Sequence, residues 1–212
     1  RRDLAGQDRA TVGRCDRRYR EARPRLADRS HVSRVLVGVT GGIAAYKTAA
    51  LVSLLVQRGD EVTVAMTEAA TRFIGAVTFE ALSGRPVCLD SWTTVDDHTS
   101  QHVSLAGRID AMIVAPCSMN SLAKYATGFA GDALSLLVAA VDRQQVPVLL
   151  APSMNATMLA QPATQRNLTS LRDDGFTILE PTTGWQACRT EGCGRMPEPE
   201  ALADAIASAI AG

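Results

Sequence analysis

The chain alternates short, wholly apolar segments with longer segments in which apolar residues recur at helical spacing. Five of the short segments are rich in β-branched residues and have the length of buried strands. Strands that are apolar throughout and alternate with helices indicate a parallel sheet covered on both faces. The predicted strands are 35–40, 61–67, 110–116, 146–152 and 176–181, and the predicted helices are 43–58, 68–83, 122–144 with a break near Gly128 and Gly131, 154–174 and 198–210.

This pattern predicts a single α/β domain over residues 34–212, with a doubly wound parallel sheet of the Rossmann or flavodoxin-like type, since crossover connections are right-handed. Ligands in such folds bind beyond the carboxyl ends of the strands. We therefore expect a site lined by the loops that follow Thr40, Thr67, Pro116, Pro152 and Pro181.

Residues 1–33 differ from the rest because arginines crowd this stretch, interleaved with acidic residues. It contains no apolar core of a secretory signal. The composition is typical of a flexible or loosely helical arm. An arm that binds an acidic partner or a neighbouring subunit is the alternative.

Composition excludes several classes of function. The 212 residues are 46% hydrophobic with zero net charge, so nothing points to nucleic acid or to an anionic membrane. No apolar run approaches the length of a membrane span. Five scattered cysteines do not form a disulfide framework, which favours a cytoplasmic protein. Cys188 and Cys193 are a lone C-x4-C pair, and we expect no zinc.

The first strand-to-helix loop has a pattern that is typical of phosphate binding. Gly41 and Gly42 would let backbone N–H groups approach a phosphate at the helix N-terminus. The G-x-G-x-x-G fingerprint and an acidic residue after the second strand are both missing, which weakens NAD. Lys47 lacks the preceding glycine of a P-loop, which weakens ATP. A mononucleotide remains, with Thr40 and Thr67 as further donors, and FMN is favoured; a tight turn without ligand is the alternative.

Five segments together resemble one known family. They read VLVGVTGGIAAYK (35–47), AMTEAATRFI (65–74), QHVSLAGRIDAMIVAPCSMNSLAK (101–124), APSMNATM (151–158) and QACRTEGCGRM (186–196). Their order is that of the flavin-containing cysteine decarboxylases. That family includes phosphopantothenoylcysteine decarboxylases of coenzyme A synthesis and peptidyl-cysteine decarboxylases that process lantibiotic-type peptides.

The resemblance assigns roles to residues at these motifs. It implies that His102 is the active-site base, that Asn155 holds the substrate carboxylate, and that Cys188 belongs to a substrate flap. The predicted FMN contacts are Thr40, Gly41, Gly42, Ile43, Thr67, Phe73, Ser118, Met119, Asn120, Ser121, Ser153 and Met154. The predicted substrate contacts are Asn155, Trp185, Gln186, Ala187, Arg195 and Met196.

The implied chemistry explains these residue types. Oxidation of the cysteine thiol to a thioaldehyde creates an electron sink for loss of CO2, and a flavin can accept the hydride. Imidazole suits His102 for base work near neutral pH. The Asn155 amide can bind a carboxylate without adding charge, although it could simply cap the next helix. Cys188 could protonate the enethiol product if that product is reduced, or could be a small apolar residue.

The sequence leaves the substrate open. The usual C-G-D of the coenzyme A branch reads Cys188-Arg189-Thr190 here, which narrowly favours a peptide ending in cysteine over phosphopantothenoylcysteine. A non-catalytic flavin-binding regulatory subunit is the third possibility, and retention of His102 and Asn155 argues against it. The resemblance also implies a homo-trimer or homo-dodecamer with the flavin near a subunit boundary.

Overall fold

A five-stranded parallel sheet forms the centre of the molecule. The structure is a computed structural model and describes residues 32–91 and 101–212. The strand order is β2-β1-β3-β4-β5, the flavodoxin-like order, which confirms the predicted fold class. The strands are β1 (Arg34–Val39), β2 (Glu61–Met66), β3 (Ala111–Cys117), β4 (Val148–Pro152) and β5 (Thr177–Ile178).

Helices connect the strands, and one antiparallel hairpin lies outside the sheet. The hairpin consists of β6 (Thr182–Trp185) and β7 (Glu191–Arg195). The helices are α1 (Ala45–Gln57), α2 (Glu68–Thr71), α3 (Ala76–Ser83), α4 (Gln101–Ala106), α5 (Met119–Thr127), α6 (Ala133–Ala140), α7 (Ala156–Ala160), α8 (Pro162–Asp173) and α9 (Pro199–Ala211).

The core has two layers, one on each face of the sheet. Because successive side chains of a strand point to opposite faces, Val35 and Val37 of β1 join one layer and Leu36 joins the other. Helices α1, α3 and α9 cover the first face, and α4, α5, α6 and α8 cover the second. Both faces of the central strands are therefore buried, which explains their uninterrupted apolar sequences.

The structure corrects three of the predicted helices. The segment 68–83 is two helices, because Gly75 adopts an extended conformation and begins α3. The segment 154–174 is also two helices, since Pro162 occupies the first turn of α8. The helix predicted from residue 122 begins at Met119, and the predicted break at Gly128 is present with that residue in a left-handed conformation.

Two further differences concern elements that were missed or shortened. Helix α4 and the β6–β7 hairpin were not predicted as such, and only Thr177 and Ile178 of the segment 176–181 pair with the sheet. The proposed arm at 1–33 falls outside the described residues except for Val32 and Ser33. Within the described ranges, no helix combines the length and the apolar character that crossing a bilayer would require.

Candidate functional site

A cavity of about 460 Å³ lies at the carboxyl ends of β1, β3 and β4. This is the place where the strand order reverses and where doubly wound sheets bind ligands. Its volume is in the range of small-molecule and cofactor sites. The cavity is lined by Gly41, Gly42, Ile43, Ala44, Tyr46, Lys47, Ser118, Met119, Ser153, Met154, Asn155, Met158, Trp185, Gln186, Ala187, Cys188, Gly194, Arg195 and Met196.

The loop between β1 and α1 forms one wall. Helix α1 begins at Ala45 without a side-chain cap and without an acidic residue in its first turn, where the helix dipole favours an anion. The Ala45 and Lys47 amides donate to the Gly42 and Ala44 carbonyls, so the amides of the preceding glycine loop are the donors that face the cavity. A Cβ on Gly41 would lie 2.7 Å from the Ala69 Cβ, so only glycine allows this loop to pack so closely against α2. This wall offers amide donors to a phosphate, and it contains no carboxylate that would repel the phosphate.

The loop between β3 and α5 is held to β1 by hydrogen bonds beneath the cavity. The fully buried Thr40 hydroxyl donates to the Pro116 carbonyl at 2.7 Å and accepts from the Ser118 amide at 2.9 Å. Ser118 in turn caps α5 by accepting from the Ser121 amide. Thr40 and Ser121 therefore position Ser118 and lie outside the cavity lining.

Asn155 begins helix α7 at the third wall. Its Oδ1 accepts from the Met158 amide at 2.8 Å, so the capping role considered from the sequence is real. The same side chain lines the cavity. Because the oxygen is occupied by the cap, the side-chain NH2 group is the part left to donate to a ligand.

The β6–β7 hairpin closes the remaining side. The Met154 amide donates to the Gly194 carbonyl at 3.1 Å, and a Cβ on Gly194 would collide with the Met154 carbonyl oxygen. Gly194 has φ +135°, a backbone conformation that favours glycine. These contacts fix the hairpin against the segment that carries Asn155.

Two thiols near the site differ in environment. Cys188 lines the cavity and is exposed. Cys117 is fully buried, and burial raises the pKa of its thiol, which makes it an inert core residue. Of these two cysteines, only Cys188 is placed to meet a ligand.

A buried lysine joins the cavity wall to the end of the hairpin. Lys47 Nζ donates to Glu198 Oε1 at 2.7 Å and to the Met196 carbonyl at 3.4 Å. Arg195 donates to the same Glu198 oxygen at 3.3 Å. The hydrogen bond from Lys47 is the main cause that lowers the pKa of Glu198. Two cations thus share one carboxylate beside the cavity.

Five lining residues were absent from the predicted site. From the sequence, Lys47 is weighed only against a P-loop, and Gly194 lies in the segment 186–196 without a predicted role. The helical period could have revealed some of them, because residues 43, 46 and 47 lie on the first turns after the glycine loop. The missed residues are Ala44, Tyr46, Lys47, Met158 and Gly194.

His102 does not line this cavity. Helix α4 precedes β3 and packs on the second face of the sheet through Ala106. The imidazole is half-buried, and its Nδ1 is buried without a hydrogen-bond partner among the described residues. Such an orphaned polar atom is costly and often marks a functional group.

Three more predicted cofactor residues also lie outside the lining. Thr67 caps α2 by accepting from the Ala70 amide at 3.3 Å. Phe73 and Asn120 have exposed side chains. The loop after Thr67 misses the cavity because β2 is the edge strand, whereas the four other predicted loops all contribute to the lining.

Fold and site define a doubly wound α/β protein with a ligand cavity at its topological switch point. The Flavoprotein family matches residues 25–211, and the chain belongs to this family. This confirms the resemblance predicted from the five motifs.

Three similar proteins illustrate the family. The chain is 45% identical over 168 residues to the coenzyme A biosynthesis bifunctional protein CoaBC of Mycobacterium tuberculosis, covering 79% of this chain and 39% of that protein. A PPC decarboxylase mutant complexed with pantothenoylaminoethenethiol is 28% identical, with a TM-score of 0.75 and coverage of 84% and 98%. The FMN-dependent cysteine decarboxylase SpaF is 30% identical, with a TM-score of 0.72 and coverage of 84% and 95%. The chain spans about two fifths of the length of the curated relatives it matches.

Proposed function

We propose that this protein is an FMN-dependent cysteine decarboxylase whose substrate is phosphopantothenoylcysteine. The observation that carries the proposal is the convergence of three features on one cavity: the uncapped start of α1, the Asn155 amide and the Cys188 thiol. Relatives named as decarboxylases of this type support the assignment.

The cavity fits the phosphate and the ring of FMN. The glycine loop at Gly41 and Gly42 supplies amides without side chains at the start of α1. Ile43, Met119 and Met154 supply apolar surface, and Ser118 and Ser153 supply polar groups. A flavin held there would supply the acceptor for the hydride of the cysteine β-carbon, and the C=S group formed by this oxidation is the electron sink that loss of CO2 needs. It would also supply the hydride that reduces the enethiol product, so that the substrate loses only CO2 overall.

The chain's own residues would bind and orient the substrate. Asn155 would donate its NH2 group to the carboxylate, and the cap to Met158 would hold that amide in a fixed orientation. A neutral donor releases a departing CO2 more readily than a cation would. His102 would take the proton of the substrate thiol, and Cys188 would donate a proton to the enethiol product.

The choice of phosphopantothenoylcysteine reverses the narrow preference for a peptide. The curated relatives at 41–45% identity are CoaBC proteins, whereas SpaF is 30% identical. Lys47 and Arg195 also give the cavity an excess of positive charge over Glu198, which suits a substrate with a phosphate. The peptide remains the second candidate, since Arg189 and Thr190 replace the usual Gly and Asp of the coenzyme A branch.

Mass spectrometry after incubation with each substrate tests the proposal. We expect phosphopantothenoylcysteine to lose CO2, whereas a peptide ending in cysteine stays unchanged. Turnover of the peptide alone would transfer the activity to the second candidate. If neither substrate reacts while FMN stays bound, the protein is a flavin-binding regulatory subunit and the proposal fails.

A homo-oligomer is the second part of the proposal, with a trimer or dodecamer as its form. His102 lies outside the cavity lining of its own chain although it carries an orphaned Nδ1. Ile43, Tyr46 and Trp185 at the cavity are more than half exposed. Such large apolar side chains at a site are covered in an assembly, and a neighbouring chain could bring its own His102 to the cavity.

A further inference from the structure

Gln186 is a buried polar side chain at the base of the hairpin turn. It is only 7% exposed and has three polar contacts. Its Nε2 donates to the Cys193 carbonyl at 3.1 Å. Its Oε1 accepts from the Ala156 amide at 3.4 Å and faces Cys188 Sγ at 3.6 Å.

These contacts settle which end of the amide meets the thiol. The NH2 group is used by a carbonyl on one side, and the oxygen meets a backbone N–H on the other. The atom of Gln186 that faces Cys188 is therefore an acceptor, and the contact requires the sulfur to carry its proton.

Thr190 completes the surroundings of the sulfur. Its Oγ1 lies 3.0 Å from Cys188 Sγ. If the thiol donates to Gln186, the Thr190 hydroxyl must be the donor in this second contact. The turn that holds both residues is closed by backbone hydrogen bonds from Gln186 to Thr190 and from Arg189 to Gln186.

We infer that Gln186 and Thr190 are positioning residues for the Cys188 proton. Gln186 stabilises and aims the S–H group before the proton leaves, and Thr190 stabilises the thiolate that remains. The inference rests on the proposed function, in which Cys188 is a proton donor. It gives Gln186, which also lines the cavity, a role through the thiol in addition to the substrate contact expected from the sequence.

Alkylation of Cys188 by the neutral reagent iodoacetamide at neutral pH tests this without any turnover. The thiolate is the reactive form. Gln186→Leu removes the acceptor, so we expect alkylation about threefold to tenfold faster. Gln186→Glu places a carboxylate against the sulfur and should slow alkylation. Thr190→Val removes the hydroxyl that stabilises the thiolate and should also slow alkylation. The charged residues nearby, Arg189 and Glu191 in the turn and Lys47 and Arg195 at the cavity, are the same in all variants. Residues 153–160 carry no titratable group.

A purely structural role for Gln186 gives a different result. Gln186→Leu and Gln186→Glu both lose the hydrogen bond to the Cys193 carbonyl. If this loss merely loosened the hairpin, Cys188 would be alkylated faster in both variants, and alkylation of Cys193 on the same hairpin would also become faster. Equal directions for Leu and Glu, or no change, overturn the inference. Gln186→Met replaces Gln186→Leu if that variant does not fold.

The infrared S–H stretching band provides a second measurement. The Cys188 band, identified by its loss in Cys188→Ser, should move to higher wavenumber in Gln186→Leu because the hydrogen bond is lost. An unmoved band contradicts the inference. Failure of the decarboxylation assay with both thiol results as expected would overturn the proposed function and leave the positioning of the thiol intact.

Discussion

At the scale of single residues, Asn155 combines two tasks that sequence analysis treats as alternatives. Its oxygen caps α7 and its NH2 group remains at the cavity. An amide is suited to this because its two ends are chemically different. The proposed function therefore predicts that cap and substrate contact can be separated by the choice of substitution.

Asn155→Asp should keep the cap and lose the substrate. Aspartate caps helices as well as asparagine, so the melting temperature should stay near that of the native chain. Its charge would repel the substrate carboxylate, and kcat/KM should therefore fall by about tenfold to a hundredfold. Asn155→Ala, the control, should lose both activity and about 1 kcal/mol of stability. Undiminished kcat/KM in Asn155→Asp would remove Asn155 from substrate binding.

Arg189 is the one described residue other than glycine with a positive φ, at 64°. A side chain in this left-handed conformation costs about 1 kcal/mol, because its Cβ crowds the following carbonyl. Arg189→Gly should raise the melting temperature by about 2–4 °C. Arg189→Ala keeps the Cβ and is the matched control. Equal melting temperatures in both variants would show that the turn is unstrained.

At the scale of elements, α6 shows how local sequence fixes a boundary. Asp132 and Ser135 form a reciprocal capping box, and Lys124 of α5 donates to the Asp132 carboxylate at 2.6 Å. Burial alone would raise the pKa of Asp132, but the hydrogen bonds from Lys124 and Ser135 outweigh it, and the pKa is lowered. Helix α6 then carries Leu134 and Leu137 into the core.

Asp132 should stabilise the fold only where it is ionised. A carboxyl group with a lowered pKa contributes stability above its unfolded pKa, and this is lost as the pH falls below about 4. Asp132→Ala should cost about 1 kcal/mol near neutral pH. Asp132→Asn keeps a cap but loses the charge. Urea unfolding should therefore give the native chain a higher free energy of unfolding than Asp132→Asn near neutral pH, and this difference should disappear in acid. A difference that persists in acid would contradict the ion-pair assignment.

At the scale of the whole molecule, the proposed oligomer makes a site that no single chain completes. A mixture of two inactive variants tests this. His102→Asn and Asn155→Ala should each be inactive alone, and co-refolded or co-expressed chains should regain activity because some sites combine a native His102 with a native Asn155. The measurement is CO2 release from phosphopantothenoylcysteine.

Two outcomes of the mixing experiment would count against a shared site. Activity that stays at zero, while sedimentation shows mixed oligomers, would place His102 and Asn155 of one chain in the same site. A monomer in sedimentation would remove the oligomer altogether. Co-expression of His102→Asn with Cys188→Ser provides the matched second pair.

Much of the architecture was determined by the sequence itself. Apolar strand segments fixed five strands, and the crossover rule fixed their parallel arrangement, because both depend on local composition and chirality. Gly41 and Gly42, Ser118 and Asn155 were located at the strand ends for the same reason. The helix breaks at Gly75 and Pro162 were missed, although each follows from a single residue that interrupts a helical period.

Tertiary structure decided which strand ends share the cavity. The sequence cannot show that β2 is the edge strand, which removes Thr67 and Phe73 from the lining, since strand order depends on packing between distant segments. The same holds for Lys47, which reaches Glu198 across 151 positions, and for Gln186, whose contacts with Ala156 and Cys188 exist only once the hairpin has docked. The sequence therefore shows which residue types are suited to the site. Which of them lie close together depends on long-range contacts that only the folded sheet and hairpin provide.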